Sequence, residues 1–321
     1  MILSRQQVEH VVGLAISAPS VLNTQPWRFF AHGDVIDVYA LPSRGLPAVD
    51  PTAREAYISC GAAVFNLRLA IGMLRRTPVV RLLPDAENVA HVANVRIGDS
   101  MTLTADERQL AQAIPRRRTS REPFSDEPVP DQIRNALSDA AHREGARLDF
   151  VPATRRDAVI SAMHDADVAQ RLNPRVVDEV ERWTRYREES TSGIPMSALG
   201  PSPRRGDGTV RDFALGRTVP RRKTAEFGQQ DLLAVLLTLE DDRTAWVRAG
   251  LALQRVLLTA TVQEVSSGLL TSPLEVPALR DLLVDAAVTR GRPQALMRFG
   301  YGPEPPPTPR TSVDDVLRQS M

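Results

Sequence analysis

The 321-residue sequence has one cysteine, Cys60, and one lysine, Lys223. A single thiol excludes an intrachain disulfide and any metal site built from cysteine alone, and it suits a reducing compartment. A single lysine among 40 basic residues leaves arginine as the rest, so any anion must be met by guanidinium forks. Charge of one sign is also scarce: 40 basic against 39 acidic residues give a net +1. That balance provides no long-range attraction to nucleic acid or anionic lipid. No apolar run reaches the roughly 18 residues of a membrane helix. The first ten residues carry Arg5 and Glu9 and no apolar stretch of signal-peptide length. These absences predict a cytoplasmic protein with neither a membrane nor a nucleic-acid partner.

Catalytic signatures are missing too. There is no G-x-S-x-G, no H-E-x-x-H, no P-loop and no G-x-G-x-x-G. The five histidines are scattered, and His164-Asp165-Ala166-Asp167 reads as a solvated helix face. No metal site is predicted, and no catalytic acid, base or nucleophile from the protein. Two arginine-rich stretches, Arg116–Arg118 and Arg221-Arg222-Lys223, lack the interleaved aromatic residues of a nucleic-acid platform.

What is present is an ordinary globular composition, 42% hydrophobic and 25% charged, with length for one large domain or two ordinary ones. Ser4 caps a helix to about Ile16 with Val8, Val11, Val12 and Ala15 on one face. Trp27–Phe30 and Val35–Tyr39 flank His32-Gly33-Asp34 as a hairpin. Asp50-Pro51 predicts the start of a helix to about Arg75 that is apolar on most sides and therefore buried. Val92–Ile97 follows as a strand. After Pro115 a similar series begins: a helix from Pro130-Asp131 through Leu137, a strand at Arg147–Val151, and an apolar helix from Thr244 to Val265. Aligning Gly61 with Gly250 brings Arg96-Ile97-Gly98 onto Arg298-Phe299-Gly300. Two copies of one α+β unit are expected. The second copy is longer, and its stretch Ser190–Gly228 shows no sustained period. The tail Pro303–Pro309 reads as extended.

Two segments stand out. Pro19-Ser20-Val21-Leu22-Asn23-Thr24-Gln25-Pro26-Trp27 is a rigid polar loop between a helix and a strand, and taken blindly it is a turn. Arg116-Arg117-Arg118-Thr119-Ser120-Arg121 offers fork-shaped donors suited to a phosphate, and by charge alone it is a basic linker. Together they resemble the nitroreductase superfamily of flavoproteins, which carries a P-S-x-x-N-x-Q-P-W motif and an R-R-S-x-R-type motif. Arg298-Phe299-Gly300-Tyr301-Gly302 followed by Pro309-Arg310 is similar to that family's closing strand and its basic residue.

The resemblance implies an α+β nitroreductase fold holding FMN. Arg117, Arg118, Thr119 and Arg310 would meet the phosphate, and Arg121 would lie near the pyrimidine edge. Ser20, Asn23 and Gln25 would contact the flavin from the other half. The loop motif precedes the arginine motif here, so one chain would imitate a homodimer. Residues 1–114 form one half and residues 115–321 the other, with a lid inserted at about 183–230 around Trp183, Tyr186, Gly193, Met196 and Gly200. One FMN per chain is expected, in a monomer acting as a pseudo-dimer and open to further dimerisation. The arrangement resembles an actinobacterial subgroup linked to dormancy and hypoxia. It implies hydride transfer from NAD(P)H through FMN, by chemistry on flavin N5, to a small-molecule acceptor such as a quinone or nitro compound. The alternative is a flavin-sequestering protein without turnover, closed by its lid.

Overall fold

Two helices of 20 residues, Arg54–Met73 and Arg243–Val262, cross at the centre of the molecule. The computed structural model describes residues 2–184, 190–204, 210–227, 231–286 and 290–319. In chain order they form α1 (Arg5–Ala15), β1 (Trp27–His32), β2 (Val35–Ala40), α2 (Arg54–Met73), β3 (Arg76–Leu82), β4 (His91–Ser100) and α3 (Ala105–Ala113). Next come α4 (Asp131–His142), β5 (Arg147–Phe150), α5 (Ala153–Arg171), α6 (Pro174–Trp183), β6 (Ser202–Pro203), β7 (Thr224–Ala225) and β8 (Leu232–Thr238). The chain ends with α7 (Arg243–Val262), β9 (Ser266–Leu269), α8 (Pro277–Ala286), β10 (Arg292–Gly300), α9 (Val313–Val316) and β11 (Leu317–Gln319).

Each central helix belongs to its own sheet. The first sheet runs β11-β1-β2-β4-β3 and the second β5-β8-β10-β9. Leaving β11 aside, both contain four antiparallel strands in the same order of first, second, fourth and third. In each the long helix joins the second strand to the third. Strand β11 comes from the far end of the chain, yet it pairs parallel with β1 at Phe29↔Leu317.

The crossing of α2 and α7 depends on two glycines. A Cβ on Gly61 would collide with Val247 O, and one on Gly250 with Ile58 O and, at 2.8 Å, Gly61 Cα. The absence of both side chains lets the backbones touch. Gln254 Nε2 donates to Asn66 Oδ1 across the same interface at 2.7 Å, where both residues are fully buried. By length and composition α2 could cross a membrane, but 89% of its apolar window is buried inside the protein.

Several boundaries move from their sequence positions. Helix α2 begins at Arg54, because Ala53 before it is left-handed at φ 59°. Asp50 still serves that end: its Oδ2 accepts from Ala56 N at 3.0 Å. Helices α3, α5, α6, α8 and α9 and strands β3, β6, β7, β8, β9 and β11 were not anticipated as elements. In α5 the buried Val159, Ala162, Met163 and Ala166 recur at helical spacing and were legible. Tyr186 lies outside the described residues.

Candidate functional site

One cleft among the described residues holds about 930 Å³ of space, counting its open mouth. Residues from distant parts of the chain line it. The α1–β1 loop contributes Ser20 to Asn23, α2 contributes Glu55, Ile58 and Ser59, and the stretch after α3 contributes Arg117 to Thr119 and Arg121. Leu253 of α7, Leu269 and Gln294 close the floor, and Arg310 enters from the tail.

The α1–β1 loop is held in an unusual backbone. Leu22, Asn23 and Gln25 all have positive φ, at 47°, 53° and 52°. Non-glycine residues persist there only when the surroundings fix them, which is common at ligand sites. Ser20 Oγ accepts from Gln25 N at 3.0 Å, and Val21 N donates to Ser59 Oγ at 3.3 Å. Asn23 Nδ2 donates to Gly193 O at 2.8 Å and to Pro309 O at 3.1 Å, while its Oδ1 accepts from Arg310 at 3.1 Å.

The arginine segment is held from below by β9 and β10. Ser120 N donates to Ser267 O at 2.7 Å. Arg298, fully buried, donates to Glu122 O at 2.7 Å, pairs with Asp231 at 2.9 Å and lies over the Phe124 ring. This fixes where Arg117 and Arg121 emerge. Among the described residues Arg117, Arg118, Arg121 and Arg310 form no ion pair with a carboxylate. Arg117 Nε and Arg310 Nε are buried without a hydrogen-bond partner. Burial first, then Arg310 and Arg118, push the Arg117 guanidinium down to about 9. Burial and Arg118 bring Arg310 down to about 10, and burial with Arg211 and Arg298 does the same for Arg121. A cation cluster, buried at Arg117 and partly buried at Arg118, Arg121 and Arg310, with no carboxylate partner among the described residues is the donor set of an anion site.

The cleft has a second, less basic end. Ile58, Leu253, Leu269 and Phe213 give it apolar walls. Arg121 and Arg211 stack on Phe213 at 4.9 and 4.7 Å from the ring centroid. Arg211 itself is paired with Glu275, through Nη2 at 2.8 Å. Burial raises the proton affinity of the Glu55 carboxyl at the same end to about 8, Glu275 adds to this, and Arg54, its buried ion-pair partner at 2.8 Å, opposes it.

The structure thus brings together seven of the eight residues proposed from sequence: Arg117, Arg118, Thr119, Arg121, Ser20, Asn23 and Arg310. Gln25 is the exception. It is fully buried behind the loop, donating to Thr191 O at 2.9 Å and accepting from Thr311 N at 2.9 Å. It braces the loop from outside the cleft. Sequence reasoning missed Glu55, Arg211 and Phe213. Arg211 and Phe213 lie in the stretch without a period, where no local pattern marks them; Glu55 is hidden in an ordinary helix start.

The 190–200 segment packs against residues of this site. Gly193 N donates to Asn23 O at 3.0 Å, and Ile194 N to Trp183 O at 2.7 Å. Arg121 donates to Ala198 O at 2.8 Å. Ile194, Leu199, Phe213 and Leu215 share an apolar cluster with Leu22, Leu46 and Val49 of the first half.

No protein-family profile matches the chain. It is 32% identical to "Putative NAD(P)H nitroreductase acg" of Mycobacterium tuberculosis over 97% of this chain and 95% of that protein. With "Putative NAD(P)H nitroreductase Rv3131" of the same organism it shares 34% identity over 97% of this chain and 91% of that one. A solved structure described as a "putative nitroreductase", from Anabaena variabilis, superposes with a TM-score of 0.57. That superposition covers 93% of this chain and 88% of the other at 9% identity, which shows a shared α+β fold.

Proposed function

The chain belongs to the family of these mycobacterial NAD(P)H nitroreductase-like proteins, and from that premise we propose that it is an FMN-dependent oxidoreductase. The observation that carries this reading is a cleft that brings arginines without carboxylate partners among the described residues together with apolar side chains. The donor set fits a flavin mononucleotide. Arg117, Arg118, Thr119 and Arg310 would hold its phosphate, and Ile58, Leu253, Leu269 and Phe213 would enclose its ring. When bound, FMN supplies two-electron transfer between NAD(P)H and a quinone or nitro compound. The chain's own part is to bind, orient and exclude water. Arg121 places a cation near the ring end, which favours the negative charge of the reduced state. Ser20 and Asn23 shape the opposite wall.

Two related halves, 1–114 and 115–321, are part of this reading. Their shared strand order supports a fused pseudo-dimer, and so does the reciprocal contact in which Gly61 meets Val247 O while Gly250 meets Ile58 O. The site would be single, because the long loop between α1 and β1 has only the short turn Arg143–Ala146 as its counterpart between α4 and β5.

A second reading, storage of FMN without turnover, is favoured by one observation. The 190–200 segment is tied to Asn23 by hydrogen bonds in both directions, as a closed lid would be. Absorption spectra before and after anaerobic NADPH decide between the two. Flavin bands that bleach support the oxidoreductase, and bands that persist support storage. A colourless protein that takes up no added FMN overturns both.

A further inference from the structure

The cleft contains one carboxylic acid that the flavin reading leaves unused. Glu55 stands in the first turn of α2, 5% exposed, and lines the cleft beside Ile58, Thr271 and Gln294. Its Oε1 accepts from Arg54 at 2.8 Å, and Arg54 donates in turn to Gln294 O at 2.8 Å, which ties the pair to β10. Its Oε2 is sealed from solvent and has no hydrogen-bond partner among the described residues. With Arg54 meeting only Oε1, a charge spread onto Oε2 is costly there, and a neutral O–H, though it too has no partner among the described residues, costs less.

The same side chain also lines a second cavity of about 590 Å³, bounded by Asp50, Arg54, Glu275, Arg280 and Asp281. Glu55 is therefore shared between the cleft and a cavity that also holds Asp50, Glu275 and Asp281. No residue of the 190–200 segment lines this second cavity, so a proton arriving through it would not require that segment to move.

We propose that Glu55 is the proton relay of the cleft, a neutral carboxylic acid that protonates a quinone as the quinone is reduced and is recharged by water in the second cavity. The proposal rests on the flavin reading above. When the quinone takes a hydride from reduced flavin, its oxygen gains an electron pair and needs one proton. The Glu55 O–H bond breaks and the hydroquinone O–H bond forms. The flavin loses two electrons, the quinone gains two, and Glu55 is left as a carboxylate until water returns a proton. The charges that face Glu55 are arranged to reverse this readily. Glu275 from the turn before α8 and Asp50 before α2 favour the protonated form, and Arg54 and Arg211 limit how far it is favoured. Arg280 and Asp281 of α8 face the cavity beyond.

The test uses FMN-loaded wild type and Glu55→Gln, which keeps the shape but has no proton to give. Each is reduced anaerobically and mixed in a stopped-flow instrument with benzoquinone or with ferricyanide, a one-electron acceptor that takes up no proton. Glu55→Gln should slow benzoquinone reduction about a hundredfold and affect ferricyanide far less. The wild-type benzoquinone rate should fall as pH rises through about 8, and the variant should lack that fall. Infrared titration of the FMN-loaded wild type, which needs no variant, should show a buried carboxylic C=O band lost over the same pH range. Equal slowing with both acceptors, no effect on benzoquinone, or no titrating band overturns the relay while leaving the flavin reading intact. A wild type that takes up no FMN overturns that reading, and the relay with it.

Discussion

Arg117 and Arg310 donate to one backbone oxygen, Ser17 O, each from Nη2 at 3.3 Å. They reach it from opposite ends of the second half, one from the loop after α3 and one from the C-terminal tail. Two guanidiniums drawn to a single neutral carbonyl repel each other, and no carboxylate among the described residues offsets them. The fold accepts this strain at one point and so leaves a position where an anion is worth most.

Inorganic phosphate and FMN should therefore raise the melting temperature of the protein. An occupant at a hundred times its Kd contributes about 2.7 kcal/mol. Arg117→Ala should remove most of the phosphate effect, and differential scanning fluorimetry at several phosphate concentrations reads it. Equal phosphate stabilisation of wild type and variant would place the anion elsewhere.

Phosphate affinity should also have a defined pH dependence. Burial, Arg310 and Arg118 lower the Arg117 proton affinity to about 9, and burial with Arg118 lowers Arg310 to about 10. The phosphate-free protein loses these charges as pH rises through those values, and a bound anion opposes the loss. Affinity for the phosphate dianion should fall above about 9. Isothermal titration across that range would show it, and a constant affinity to pH 10 would contradict the assignment.

Gly61→Ala and Gly250→Ala should each be destabilising by about 3 kcal/mol or more, since the added methyl meets backbone that cannot rotate away. Because the two glycines touch, the double variant should lose less than the sum of the singles. Urea denaturation of all three variants measures the coupling. Additive losses would mean that the two positions do not share one contact.

Much of this was legible in the sequence because it is local. Helix α1 has its cap in Ser4, the hairpin has its turn at Gly33, and the two central helices announce burial by being apolar all round. The cleft was legible because its motifs are contiguous, Ser20 to Asn23 and Arg117 to Arg121. What stayed hidden depends on distant partners. Arg96-Ile97-Gly98 and Arg298-Phe299-Gly300 look alike, yet Arg96 is exposed while Arg298 is fully buried against Asp231. Gln25 belongs to the motif by sequence, but Thr191 and Thr311 draw it away from the cleft. Arg211 takes its place only through Glu275, a partner no local pattern could indicate.

Gly193 offers the means to open the site. Its φ is +85°, and a Cβ there would lie 2.6 Å from Trp183 O, so alanine is disfavoured both by backbone conformation and by contact. The same residue makes hydrogen bonds with Asn23 in both directions, through its N at 3.0 Å and its O at 2.8 Å. Gly193→Ala should shift the segment and weaken both bonds, without altering Arg117 or Arg310. If the segment gates the cleft, NADPH should reduce the flavin faster in the variant than in wild type, and iodide should quench flavin fluorescence more strongly. Because the anion-binding arginines are unchanged, flavin content should stay close to one per chain. Equal reduction and equal quenching in the two proteins would mean that the 190–200 segment braces the α1–β1 loop and leaves access to the ring unchanged.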